Sequence, residues 1–364
     1  MLGVCALFHG ERARTCSMRI TFIAIWALIC LMACGPIGGT SGDASGGTGG
    51  VDSNAMMSSG LTSSAGARPT NPHNRQSLIW VWNSYRTSIA KVLDNANSFT
   101  HVSPALYQMN YDYQSGVTRN VNANGFYDGL TAATMTTALH AAGIKVVPLM
   151  YAGAGNNGTD QGIQNVLNDP AVAQAFIAAH VQEGIDKSFD GWNLDWEVGD
   201  TKYDPYGTKL IAFLAAFKQA LNAHDMVLSF DLGGWYVKQC TASGGGGLVD
   251  LKAFAPAVDQ AIIEDYAKTF DSPSGKCPGT VPDLQECDSF GTGLSVMCAT
   301  SSNVVSIGLI TPDSNAFAPQ ALDAVASYGF QSVALWPDSS SFLNSTGIPN
   351  DGTWFSVLGA WLAQ

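Results

Sequence analysis

Apolar runs alternate with amphipathic stretches along the chain from residue 78 onward. The short apolar runs predict buried strands, and the longer stretches between them carry apolar residues at helical spacing. The predicted strands are 78–82, 100–107, 144–151, 189–197, 226–232, 260–267, 304–310 and 331–336. The predicted helices cover 87–96, a stretch ending at Gly143, 170–188, 206–225, 317–328 and 353–363.

Eight strands with helices between them, over about 290 residues, are typical of a (β/α)8 barrel. A doubly wound open sheet is the alternative, but no Gly-rich phosphate-binding fingerprint follows the first strand. Residues 270–300 are rich in Cys, Gly and Pro and are predicted to form a long insertion after the sixth strand, tied by disulfides.

Polar residues interrupt the fourth predicted strand at every second position. Asn193, Asp195 and Glu197 share one face of that strand, while Leu194 and Trp196 take the other. In a barrel, the polar face points inward and climbs toward the carboxyl end, where barrel enzymes have their active sites. Burying acids there predicts acid/base chemistry, since one carboxyl beside another holds its proton more tightly. An internal polar plug is the structural alternative.

The same strand resembles the signature of glycoside hydrolase family 18, the chitinases and their relatives, which reads Asp-Gly-x-Asp-x-Asp-x-Glu. In "DGWNLDWE", Asp190, Gly191, Asp195 and Glu197 match it, and Asn193 stands where the family usually has Asp. A branch similar to di-N-acetylchitobiase also carries Asn there. The second-strand "VSPALY" is most similar to the chitobiase-like and spore-cortex glucosaminidase branches. The resemblance covers most of residues 78–336.

The resemblance implies a retaining, substrate-assisted glycosidase that cleaves β-linked N-acetylglucosamine glycans without metal or cofactor. It makes Glu197 the acid and base, Asp195 the partner of the substrate acetamide, and Tyr266 a second holder of that group. Asn193 and Asp190 support the catalytic strand, and Asp190 is expected to be structural. The expected sugar-binding residues are Trp336, Glu264, Trp82 and Trp235, with packing in the fold as the alternative role of Trp82 and Trp235.

Two departures leave the substrate range open. On the sixth strand, Glu264 and Ala267 replace the usual Met and Asp, and the third strand lacks Ser-x-Gly-Gly. A catalytically weak or inactive carbohydrate-binding barrel is therefore an alternative function, and a purely structural barrel is a third. The presence of Glu197 favours the enzyme, because inactive relatives typically lose that residue.

The amino-terminal residues are expected to direct export rather than to fold. Residues 1–34 are expected to hold an upstream extension, 1–17, and a signal with a basic start at Met18-Arg19 and a short apolar run. The end of that run, "LMACG", resembles a bacterial lipobox with Cys34 as the lipidated residue. A plain secretory signal is the alternative. Residues 35–74 are Gly- and Ser-rich and predict a flexible linker. The barrel is predicted over 75–364, in an exported lipoprotein or secreted protein.

The net charge limits the classes of binding partner, and the cysteine content suggests disulfides. The net charge of −12 argues against nucleic acid, and membrane contact is expected only through the lipid. A monomer is expected. Four cysteines of the predicted barrel suggest two disulfides of unspecified pairing in an exported protein. They are Cys240, Cys277, Cys287 and Cys298.

Overall fold

The computed structural model describes most of the predicted barrel. The described residues are 61, 70–81, 85–109, 113–120, 130–152, 161–196, 204, 207–232, 251–264, 304–310, 318–337 and 351–364. The predicted signal segment and the Cys-rich insertion lie outside them, as does the predicted linker apart from residues 61 and 70–74.

Ten strands and eight helices are present in the described part of the chain. The strands are β1 (Gln76–Val81), β2 (His101–Met109), β3 (Arg119–Asn120), β4 (Lys145–Val146), β5 (Leu149–Ala152), β6 (Gly191–Asp195), β7 (Val227–Leu232), β8 (Gln260–Ile263), β9 (Val305–Ile310) and β10 (Ser332–Trp336). The helices are α1 (Tyr85–Asp94), α2 (Ala132–Ala141), α3 (Gln161–Asn168), α4 (Pro170–Lys187), α5 (Thr208–Asn222), α6 (Leu251–Phe254), α7 (Ala318–Ser327) and α8 (Asp351–Ala363). Short 3₁₀ turns cover Ala96–Ser98 and Ala255–Ala257.

The strands close into a barrel. Parallel pairing runs from β1 through β2, β5, β6, β7, β8 and β9 to β10, and β10 pairs again with β1. The segments β4 and β5 both pair with β2 and together form the third barrel strand, so β6 is the fourth. The short β3 adds an antiparallel pairing to β2. The predicted (β/α)8 barrel is confirmed.

Two apolar cores lie on the two sides of the strands. The larger one fills the space between strands and helices and includes Trp192, Leu194 and Trp196. The smaller one fills the barrel interior; its buried members are Leu78, Trp80, Ala105, Val147, Leu149, Ile262 and Ala334. This division is the period-two alternation of the strand sequences seen in three dimensions.

Local signals set the ends of two helices as the sequence predicts. Asp169 caps α4, with its Oδ1 accepting from the backbone N–H of Ala171 at 2.8 Å, and Pro170 takes the first helical position. Gly143 follows α2 with a φ of +70°, a conformation that is cheap only for glycine.

The third barrel strand is predicted as one continuous run over 144–151, and the structure differs. It is divided between β4 and β5, with Val147 and Pro148 between them. Pro148 has no N–H to donate to a ladder, yet its carbonyl accepts from the N–H of Asn193 at 3.0 Å. The barrel therefore stays closed across the interruption. No helix in the described part of the chain is long and apolar enough to cross a membrane.

Candidate active site at the barrel mouth

The fourth barrel strand points its polar residues inward. Asn193 is fully buried and Asp195 is 5% exposed, whereas Trp192, Leu194 and Trp196 pack outward against the helices. The alternation predicted from the sequence is therefore present through residue 196. Asp195 is the last residue of β6, so its carboxyl lies toward the end of the barrel where barrel enzymes work.

The start of the same strand is anchored by Asp190, at the end of the barrel opposite the mouth. Its Oδ2 accepts from the backbone N–H of Val146 at 2.7 Å and lies 2.7 Å from Nε2 of His140. Its backbone N–H donates to the carbonyl of Val146, and its carbonyl accepts from Val227. Asp190 thus joins β6 to its two neighbours and lies away from the inward-facing acids.

Gly191 is needed because β7 passes too close for a side chain. A Cβ at this position would lie 2.1 Å from the carbonyl oxygen of Val227 and 2.7 Å from its Cγ2. The close approach brings β6 and β7 into register, with Gly191 opposite Val227 and Asn193 opposite Ser229. Since residues two further along share the same face, Asp195 and Asp231 stand side by side.

Asn193 is the centre of a buried hydrogen-bond network inside the barrel. Its Oδ1 accepts from Nε1 of Trp80 at 2.8 Å and from Oγ of Ser103 at 2.9 Å. Its Nδ2 donates to Oδ1 of Asp231 at 2.6 Å. These bonds satisfy the buried amide and fix its orientation, because the indole N–H can only donate.

Asp231 is a site residue that the sequence analysis does not identify. It is 3% exposed and lies on β7, two residues after inward-facing Ser229 in "LSFDL". The signal is the same period-two spacing as in β6, but a single acid in an apolar run gives no indication of its partners. One carboxylate oxygen each of Asp195, Asp231 and Glu264 lies within 4.8 Å of the others.

This carboxyl cluster, Asp195 with Asp231 and Glu264, spans the ends of three consecutive strands. Glu264 follows β8, is half-buried, and donates its backbone N–H to Leu232 at 3.1 Å. Oxygen ligands suit hard cations such as Ca²⁺, which take six or more of them. Three acids alone do not specify a cation, and we assign no metal to the cluster. Close carboxyls also raise the proton affinity of at least one member.

Aromatic side chains line the inner core beside the acids. The rings of Trp80 and Trp336 are 5.9 Å apart and tilted by 59°. Trp80 is buried, while Trp336 ends β10 and is half-buried, so part of its indole remains accessible. Tyr151 also packs on the inner core and stands opposite Asp195 in the register of β5 with β6.

Several predicted site residues lie outside the described residues. They are the acid Glu197, the acetamide partner Tyr266, the aromatics Trp82 and Trp235, and the cysteines Cys34, Cys240, Cys277, Cys287 and Cys298. Of the predicted set, the structure brings together Asn193, Asp195 and Glu264 and puts Trp336 on the same inner core. This arrangement offers buried carboxyls for proton transfer next to an indole face that can stack on an apolar or sugar ring.

Comparison with solved structures finds this barrel among chitinases. A chitinase from Chromobacterium violaceum has a TM-score of 0.58 at 14% identity, covering 80% of this chain and 99% of that one. The spore cortex-lytic enzyme SleL of Bacillus megaterium has a TM-score of 0.53 at 13% identity, covering 78% and 73%. A class V chitinase variant from Nicotiana tobaccum, in complex with NAG4, has a TM-score of 0.57 at 11% identity, covering 78% and 99%.

These likenesses establish a chitinase-like fold, since identities of this size speak for the fold alone. No family model and no curated protein sequence matches the chain.

Proposed function

We propose that this protein is a retaining glycosidase that hydrolyses β-linked N-acetylglucosamine glycans, either chitin oligomers or peptidoglycan-type chains. The observation that carries the proposal is the inward-facing pair Asn193 and Asp195 at the mouth end of the fourth barrel strand. In a barrel similar in fold to chitinases, this is the strand whose sequence resembles the family 18 signature. Its half-buried Trp336 supports a sugar subsite beside the acids.

Glu197 is the proposed general acid and base. It follows Trp196, whose side chain packs outward, and continues the spacing of Asn193 and Asp195. Period-two alternation therefore favours an inward Glu197 next above Asp195. A carboxylate at Asp195 beside it would hold the proton of Glu197 near neutral pH, which is the state that an acid catalyst needs.

The proposed reaction has two steps. First, the carbonyl oxygen of the substrate's 2-acetamido group attacks the anomeric carbon, the glycosidic C–O bond breaks, and Glu197 gives its proton to the departing oxygen. Asp195 accepts the acetamide N–H and stabilises the positive oxazolinium ion, with Tyr266 holding the acetamide. Next, the Glu197 carboxylate takes a proton from water, whose oxygen attacks the anomeric carbon and reopens the ring with retention.

Substrate assistance needs accurate placement more than a second nucleophile. An acetamide held against its own anomeric carbon reacts intramolecularly, and effective molarities of such reactions are very large. Trp336 is the proposed platform for the sugar ring in this position, with Trp82 and Trp235 extending the binding surface. Glu264 is proposed to contact a sugar hydroxyl from the rim.

The test compares two aryl glycosides that differ at one substituent. The protein should release the aryl group from an N,N′-diacetylchitobioside and leave the matching cellobioside, which has a 2-hydroxyl, intact. A thiazoline-type inhibitor should compete with the first substrate. Asp195→Asn should lower kcat about 100-fold, whereas Asp323→Asn, an exposed change on α7, should not alter it.

Two outcomes would overturn this proposal. Equal cleavage of both glycosides would exclude acetamide participation. Tight binding of N-acetylglucosamine oligomers without any turnover would instead support the alternative, a carbohydrate-binding barrel that lacks activity.

Export is proposed on the amino-terminal sequence alone. If Cys34 is lipidated, wild-type protein should partition with membranes and Cys34→Ala should be found in the soluble fraction. Soluble wild-type protein cleaved near residue 34 would favour the plain secretory signal.

A further inference from the structure

We propose that Asp231 is a positioning residue for Asp195 and that the two share a proton at neutral pH. This inference rests on the proposed function and deepens it, by assigning a role to a β7 acid that lies outside the family signature. It depends on two observations, the network around Asn193 and the distance between the carboxyls.

The network holds Asp231 in one orientation. Both Trp80 and Ser103 donate to Oδ1 of Asn193, so the amide must turn its Nδ2 toward the acid. Oδ1 of Asp231 accepts that bond at 2.6 Å. The members of this chain come from four strands, β1, β2, β6 and β7, and all are buried. Asp231 is thus fixed relative to the barrel wall, with its carboxyl close to that of Asp195.

The carboxyl cluster cannot be fully ionised. Asp195 and Asp231 are 5% and 3% exposed, and their oxygens lie within 4.8 Å of each other and of Glu264. Like charges this close in a buried site raise one another's proton affinity, and such groups titrate as a unit. Tyr151 also faces Asp195 from β5. Glu197 and Tyr266, further along β6 and β8, lie outside the described residues.

The amide at position 193 explains why Asp231 is the residue that shares a proton with Asp195. An amide cannot carry a titratable proton, so position 193 cannot share one with Asp195. It can, however, hold an acid in reach by donating to it. Asp231 then gives Asp195 a partner that limits the pair to a single negative charge. Asp195 keeps the charge that it needs to accept an acetamide N–H, without a second buried charge beside it.

The test uses two substitutions at one position. In Asp231→Asn the side-chain carbonyl still accepts from Asn193, so only the titratable proton is removed. Asp231→Leu removes the contact as well. The exposed acid Asp323 supplies the control, Asp323→Asn. The direct readout is the infrared C=O absorption of a protonated carboxyl in ligand-free protein at neutral pH, with every protein carrying Glu197→Gln so that the proposed acid adds no band of its own. The second readout is the pH dependence of kcat/KM.

The expected results separate proton sharing from a structural role. In the Glu197→Gln background, the otherwise unchanged protein and Asp323→Asn should show the protonated-carboxyl band, and Asp231→Asn should lose it. The acidic limb of kcat/KM should move about one pH unit higher in Asp231→Asn, because the shared proton no longer stabilises the Asp195 carboxylate. Asp231→Leu should lower kcat/KM at every pH. A merely structural residue would lower the profile without moving the limb.

Two results would overturn the proposal: no band in the Glu197→Gln protein, or a band that is unchanged when Asp231→Asn is added. The infrared readout does not depend on turnover. The band in the Glu197→Gln background, together with a wild-type protein that hydrolyses no glycoside, would therefore contradict the proposed function while leaving the shared proton established.

Discussion

The amide of Asn193 donates to the carboxyl of Asp231 across 2.6 Å in the interior of the barrel. Two further donors, from Trp80 and Ser103, fix the other end of that amide. An acid on β7 and an amide on β6 therefore occupy complementary positions. The exact side-chain types at positions 193 and 231, rather than their polarity alone, should therefore affect the stability of the barrel and the titration of its acids.

Asn193→Asp should destabilise the protein at neutral pH. The substitution sets two acids against each other in a buried site, so one must take up a proton and its folded pKa rises. The free energy of unfolding should fall by about 2 kcal/mol at pH 7. It should approach the wild-type value near pH 4, where both folded and unfolded carboxyls bind protons. Urea denaturation at the two pH values measures this.

The exchange variant, Asn193→Asp with Asp231→Asn, is its control. It keeps one acid and one amide in contact with the direction of the hydrogen bond reversed. Its unfolding free energy at pH 7 should lie within about 1 kcal/mol of wild type. If Asn193→Asp alone were as stable as wild type at pH 7, the contact between residues 193 and 231 would be contradicted.

Gly191→Ala should destabilise the barrel by about 2 kcal/mol or more, because the added Cβ would overlap the backbone of Val227. Gly184→Ala is a matched control on α4. There the new Cβ would lie 2.6 Å from Sδ of Met226, the far part of a flexible side chain. It should change stability by less than about 1 kcal/mol, since alanine also favours the helix. Thermal denaturation measures the stability of both variants. Equal losses of stability in Gly191→Ala and Gly184→Ala would contradict the close approach of β7 to Gly191.

His180 should make stability depend on pH. It is fully buried and neutral: its Nε2 accepts from the N–H of Thr118 at 3.1 Å, and its Nδ1 donates to the carbonyl of Phe176 at 2.7 Å. Burial lowers the pKa of His180 to about 4, with the bond to Phe176 opposing the shift. The unfolded histidine binds a proton near pH 6.5, so the unfolded state binds more protons between pH 6.5 and 4.

The resulting stability is fully present above about pH 6.5 and is lost as the pH falls toward 4. We expect a loss of about 3 kcal/mol from this residue over that window. His180→Gln cannot titrate and should flatten that part of the stability profile. Its overall stability is immaterial, because the comparison concerns the slope. An unchanged slope would show that His180 does not contribute.

The barrel could be predicted because its information is local. Apolar runs of five to nine residues and the alternation in "GWNLDW" assign strands and faces without knowledge of neighbours. Helix ends at Asp169 and Gly143 likewise follow from capping chemistry within a few residues. Pro148 is a local exception: its missing N–H divides the third strand, although the run stays apolar.

The partnership of Asp195 with Asp231 could not be predicted in this way. It depends on the register of β6 against β7, which Gly191 and Val227 set through a backbone contact 36 positions apart in sequence. Nothing near Asp231 distinguishes it from an acid at a strand end. Glu264 is predicted only as a sugar-binding residue, and its approach to both other acids again depends on strand register.

The measurement that tests the proposed glycosidase most directly compares wild type with Glu197→Gln on chitin oligomers and on an aryl N,N′-diacetylchitobioside. We expect the variant to lose at least about 100-fold in kcat on the oligomers. The loss on the aryl substrate should be smaller, because its leaving group needs less protonation. Equal turnover of both substrates by the two proteins would contradict it.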